Sequence, residues 1–115
     1  MKPLYAVNRF TGVKMTETHG FKLSSAHVDM RPDRCFDCFF NSPKGPVQCV
    51  IMSDAVTVMA DHCGEDPAWA MITRSWGIPL ATIAADKSKR HPQESVVIIS
   101  DDLRPFLGQV LKAKG

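Results

Sequence analysis

The chain has 115 residues, 44% of them hydrophobic and 23% charged, with a formal net charge of +2. That length suits one domain with a real core, and that composition is not the core-poor, highly charged kind that stays disordered. So small a net charge gives no ground for a function built on bulk attraction to nucleic acid or an acidic membrane. No apolar run approaches the roughly 20 residues that a membrane-spanning helix needs.

The opening MKPLYAVNRFTG lacks the apolar stretch and small-residue cleavage site of a secretory leader, so a cytoplasmic location is the expectation. In that reducing setting the four cysteines are expected to be thiols or metal ligands, not disulfides.

In chain order, Leu4–Asn8 and Val13–Thr18 flank Arg9-Phe10-Thr11-Gly12, which predicts a hairpin with glycine at its turn. Phe21–Met30 alternates with period two but changes phase at Ser24-Ser25, as a β-bulge would make it do. Arg34–Phe40 and Val47–Met52 flank Asn41-Ser42-Pro43-Lys44-Gly45-Pro46, which predicts a second hairpin. Ser53 is placed to cap a helix over Asp54–Cys63, stopped by Gly64, with Ala55, Val56, Met59, Ala60 and Cys63 on one stripe.

Asp66 is placed to cap a second helix, with Pro67 at its first position and Gly77 just past its end. Leu80–Ala85 and Ser95–Ser100 read as strands, the latter through Val96-Val97-Ile98-Ile99. Asp102 is placed to cap a last helix striped by Leu103, Phe106, Leu107, Val110 and Leu111, with Lys112 and Lys114 at its negative end. The expected fold is one α+β domain over residues 1–115. It has an antiparallel sheet of about five to seven strands, made of two hairpins and a later pair, with about three helices on one face.

Cys35-Phe36-Asp37-Cys38 is a C-x-x-C, half of a common zinc motif, and Cys49, His62 and Cys63 could complete a tetrahedral set. Strand geometry opposes this. If residues 34–40 are extended, Cys35 and Cys38 point to opposite faces and cannot share one ion. Cys63, inside the apolar stripe of its helix, behaves there as a small hydrophobe and not as an exposed nucleophile.

In Cys35, Cys38, Asp61 and His62 the chain resembles zinc-assisted nucleases of the HNH and endonuclease VII type, which pair a C-x-x-C with a downstream Asp-His. The resemblance implies a zinc-dependent hydrolase. The chain lacks those enzymes' later asparagine or histidine and their second cysteine pair. His27, Asp29 and Asp33 form a further set, which a strand would read as a surface hydrogen-bonded pair before a metal centre. No phosphate-binding loop, dinucleotide loop or serine elbow occurs.

Lys87-Ser88-Lys89-Arg90-His91 is expected at a projecting hairpin tip. There Lys87, Lys89 and Arg90, extended by Lys2, Arg9, Lys14 and Lys22, could contact phosphates. No aromatics interleave with the run as a single-strand stacking platform would want. Trp69 and Trp76 share a helical face, which is core if buried and an interface anchor if exposed.

With no catalytic motif complete, the leading expectation is a small binding or regulatory protein acting through a protein–protein interface. Its partner would be another protein or itself, as a homodimer, and its size resembles that of accessory or inhibitor proteins of phages and mobile elements. Nucleic-acid binding and zinc-dependent hydrolysis are the alternatives.

Overall fold

The structure is a computed structural model that describes residues 18–92 and 94–108. Among these, three strands come first: β1 (Lys22–Met30), β2 (Phe36–Ser42) and β3 (Gly45–Ile51). Helices α1 (Ser53–Cys63) and α2 (Trp69–Arg90) follow, then strand β4 (Val96–Ile98) and the short helix α3 (Ser100–Leu103), which runs into a 3-10 turn at Arg104–Phe106. The sheet order is β1-β2-β3-β4; the first two pairings are antiparallel and β3 pairs β4 in parallel. The general α+β class is as expected. Among the described residues the sheet is mixed and has four strands, fewer than the five to seven expected. The predicted hairpin at residues 4–18 falls almost wholly outside the described residues, as do Val110, Leu111, Lys112 and Lys114 of the last predicted helix.

The first strands follow their sequence signals. β1 carries a register irregularity between Ser24 and Asp29, and His27 takes the left-handed conformation there (φ 59). β2 and β3 join through a turn tighter than expected, with Ser42 paired to Gly45 and the Ser42 hydroxyl donating to the Gly45 carbonyl at 2.7 Å. Register partners share a face, so Phe36, Cys38 and Phe40 line up with Ile51, Cys49 and Val47, and Val96 and Ile98 continue the row. All but half-buried Val47 are buried.

Helix α1 covers that row with its predicted stripe of Ala55, Val56, Met59, Ala60 and Cys63. Its first turn is not capped by Ser53, which is already helical. Instead the Asp54 carboxylate accepts the Ala55 N–H at 2.8 Å and the Ser100 N–H at 3.1 Å, joining the starts of α1 and α3. Burial raises the Asp54 pKa, but these hydrogen bonds together outweigh it and hold the carboxyl below its ordinary value. A depressed folded-state pKa stabilises the fold above the unfolded value of about 3.9 and loses that contribution as pH falls through the folded value. Asp54→Asn is therefore expected to lower Tm at pH 7, with the gap to wild type closing below about pH 4. A gap of the same size at pH 3 would refute the assignment.

The region after α1 departs from the expectation. Asp66 does not cap α2, whose N-cap is the extended residue Ala68 (φ −158, ψ 150). α2 does not stop at Gly77. It runs through Gly77 and Pro79 and takes in Leu80–Ala85, which is helix and not strand. Lys87, Lys89 and Arg90 are consequently its last turn and not a hairpin tip.

The physical reason is a single stripe at helical spacing. Ile72, Trp76, Pro79, Leu80 and Ile83 all fall on the buried side, and Ala81, Ala84 and Ala85 are strong helix formers. Pro79 removes one N–H that Ser75 would otherwise receive, a cost of about 3 kcal/mol in a helix interior. Burying Trp76, Leu80 and Ile83 returns roughly 1.5–3 kcal/mol each, which outweighs it. Met71, Trp76, Leu80, Ile98 and Leu103 meet Phe40 and Ile51 in one core.

Two glycines separate the two descriptions of this region. Gly64 ends α1 with φ +68, donating its N–H to Asp61 at 3.2 Å, while Gly77 is an ordinary helical residue whose added Cβ would meet nothing within 4 Å. Gly77→Ala is expected to stabilise the protein by about 0.5–1 kcal/mol, and Gly64→Ala to destabilise it by about 1 kcal/mol. Urea denaturation of the two variants checks this. A destabilising Gly77→Ala would mean that the helix ends there.

Candidate interaction surfaces

Alternation along the strands gives the sheet a second face, turned away from α1 and α2. It carries Asp37, Phe39 and Asn41 from β2, and Pro46, Gln48 and Val50 from β3. Val97 of β4 stands level with Val50, and Lys22, Ser24 and Asp29 stand level with Asn41, Phe39 and Asp37. Two flanking residues continue the pattern. The Cys35 thiol lies 4.0 Å from the Met52 sulfur, and Ile99 follows Val97 by two positions.

The apolar part of this face is Phe39, Val50 and Met52, all half-buried, with Val97 (43% exposed) and Ile99 (39% exposed). None of these packs into the core formed with the helices. At one end Arg31 lies 3.2 Å from Asp33 and 3.4 Å from Asp37. The N–H of Cys35 donates to Asp33 at 3.1 Å and holds that carboxyl below its usual range, with Arg31 adding to the effect. Such exposed pairs set local geometry and contribute little stability.

The sheet edges are less open than its face. β4 is three residues long, and the N–H of Ile99 just beyond it is taken by the Asp102 carboxylate at 2.9 Å. β1 is interrupted by its bulge. Short and bulged edges resist the addition of another strand.

The basic residues at the end of α2 stand beside acids. Lys87 lies 3.1 Å from Asp102, and Arg90 lies 2.6 Å from Asp86. Together with Ile83, Asp101, Pro105 and Phe106 they line a groove of about 420 Å³. Its rim has three carboxylates against two cations, so it offers a phosphate no net positive field. Lys89 is exposed on the same turn, and Lys22 is exposed on β1; Lys2, Arg9 and Lys14 lie outside the described residues.

Asp102 is the third residue of its short helix and not its cap, and it reaches back to Ile99 while receiving Lys87. This latch between α2 and α3 is something that propensity reading missed. The i, i+3 spacing of Ile99 and Asp102 was the available signal.

All four cysteines are free and buried. Cys38 and Cys49 are register partners in the core row, whereas Cys35 lies against Met52 and outside the core cluster, so the C-x-x-C is split between the two faces. The hydrogen bond with Cys38, reinforced by burial, pushes the Cys49 thiol pKa far up and holds it protonated. Cys63 is in the stripe of α1.

His62 is half-buried, with its ring 5.8 Å from that of Trp76 in an edge-on arrangement, and Asp61 is exposed. His27, Asp29 and Asp33 are exposed, and the bulge at His27 breaks the simple alternation that would align it with Asp29. Among the described residues, no three His, Cys, Asp or Glu side chains are placed to hold one metal ion.

The tryptophans separate. Trp76 is fully buried, and its indole N–H has no hydrogen-bond partner among the described residues. Trp69 is half-buried, its ring 5.7 Å from Phe36 and its N–H 3.1 Å from the Ser25 hydroxyl, so it pins β1 and β2 to the start of α2. No helix among the described residues is long and apolar enough to cross a membrane.

No protein-family model matches the chain, and neither a curated protein nor a solved structure matches it.

Proposed function

We propose that the protein is a small binding protein that engages a protein partner through the face of its sheet turned away from α1 and α2. The observation that supports this reading is the strip of Phe39, Val50, Met52, Val97 and Ile99 on the face that α1 and α2 leave uncovered. An apolar strip with a charged margin is the composition of a recognition surface. The basic end of α2 favours nucleic acid less, because Lys87 and Arg90 each sit beside a carboxylate. A zinc-dependent hydrolase built on Cys35, Cys38, Cys49, His62 and Cys63 is favoured less still, since these residues divide between two faces and a core.

The test compares wild type with two variants, each first shown by thermal denaturation to be folded at the assay temperature. One is Val50→Lys with Val97→Lys; the other is Lys87→Ala with Lys89→Ala and Arg90→Ala. Each is immobilised and offered nuclease-treated lysate, and each is titrated with a mixed DNA and RNA pool at two salt concentrations. The expected outcome is a set of captured proteins that survives the triple substitution and disappears from the sheet-face variant. Identical capture by the sheet-face variant would overturn the proposal. Salt-dependent nucleic-acid binding lost only from the triple variant would replace it with the nucleic-acid reading.

A further inference from the structure

The sheet face is polarised along its strands. At the hairpin end Lys22 stands in register with Asn41 and Pro46, and at the opposite end Asp29 stands in register with Asp37 and Val50. Midway between them, Ser24, Phe39 and Gln48 form one level. A two-fold axis lying in the face, perpendicular to the strands at that middle level, maps the hairpin end of one copy onto the opposite end of the other. Phe39 then faces Phe39 of the second copy, Asp29 faces its Lys22, and Val50 faces its Pro46. A surface that presents a base where its symmetry mate presents an acid satisfies the requirement of an isologous interface. Shifting the axis two residues, to the Val50 level, would set Asp37 against Asp37, so the charges select one register.

From this complementarity we infer that the protein partner on the face turned away from α1 and α2 is a second copy of this chain, packed sheet against sheet about the Phe39 level. The inference rests on the reading of that face as a partner-binding surface. Strands of nine, seven, seven and three residues, spaced about 4.8 Å apart at about 3.3 Å per residue, present a face of about 410 Å². That is roughly half of the ~800 Å² per partner of a standard interface, so the dimer is weak and reversible. Two copies of the Asp29–Lys22 contact, exposed to solvent, make it weaker in high salt.

Sedimentation velocity of the full chain from about 5 to 500 μM, a range chosen for a weak interface, is the experiment. The expected result is a concentration-dependent monomer–dimer equilibrium. Phe39→Lys, which sets two cations at the axis, should weaken it more than about tenfold. Asp29→Lys and Lys22→Asp should each weaken it by about fivefold to tenfold, since each substitution counts twice, and combining them should restore it.

A chain that is monomeric throughout the range overturns the inference, as does a dimer indifferent to Phe39→Lys or a charge swap that fails to restore association. A monomer whose Val50→Lys, Val97→Lys variant still loses a captured protein would sink the self-association alone. Persistence of both dimer and capture in that variant would sink the face itself.

Discussion

Trp76→Ala is expected to cost about 3–5 kcal/mol, the range for truncating a large buried aromatic side chain to alanine. Trp76 is fully buried at the centre of the stripe that holds α2 on the sheet, beside Ile72 and Leu80 on its own helix and packed edge-on by His62 of α1. That loss is a large fraction of the total stability of a small domain, so the variant should be substantially unfolded near physiological temperature. Urea denaturation followed by far-UV circular dichroism measures it.

Two controls give the number its meaning. Trp76→Phe removes an indole N–H that has no partner among the described residues, so it loses volume but recovers the cost of an unsatisfied donor; it should cost clearly less than Trp76→Ala. Trp69→Ala removes a half-buried ring, its contact with Phe36 and one hydrogen bond to Ser25, and should cost about 1–2 kcal/mol. Equal losses for Trp69→Ala and Trp76→Ala would contradict the placement of Trp76 in the core.

The second large effect is expected on binding and not on stability. Val97 is already 43% exposed and Val50 is half-buried on the face turned away from α1 and α2, so lysine at both positions can extend to solvent in the free protein. Denaturation midpoints should therefore move little. In a complex through that face both ammonium groups would be desolvated without partners. Affinity for the captured protein should fall at least about a hundredfold, corresponding to about 2.7 kcal/mol. Surface plasmon resonance with the purified partner measures this. A loss smaller than about threefold would place the contact elsewhere on the molecule, because scattered rim substitutions typically cost that little.

Much of the first half of the fold was legible in local pattern. The phase change at Ser24-Ser25 became the β1 bulge, and Pro43 and Lys44 became the turn between the paired Ser42 of β2 and Gly45 of β3. The spacing of Ala55, Val56, Met59, Ala60 and Cys63 became the buried side of α1. The split of Cys35 from Cys38 followed from strand alternation and is seen in the thiol placed against Met52. In each case the signal and the element share one short stretch of chain, so period and turn chemistry were enough.

Gly77 and Pro79 misled because they are local punctuation in a helix stabilised by tertiary contacts. The stripe from Ile72 to Ile83 was present in the sequence, but a glycine and a proline two residues apart spoke for a break. Extending the helix to Arg90 moved Lys87 and Arg90 from a projecting tip to the sides of Asp102 and Asp86, which removed their open cationic character. It also left Val96–Ile98 without the strand expected beside it. With α1 and α2 forming the crossover, β4 returned parallel to β3.

Alternation by itself determined which residues of β2 and β3 share a side: Phe36, Cys38 and Phe40 on one, Asp37 and Phe39 on the other. Only the tertiary structure decided which side α1 and α2 cover, and hence that Phe39, Val50 and Val97 lie on the other. Period two defines two faces but carries no information about what packs on either. That choice belongs to the burial free energy of Trp76, Leu80 and Ile83, which carried α2 through a proline and onto the Phe40–Cys49–Ile98 side of the sheet.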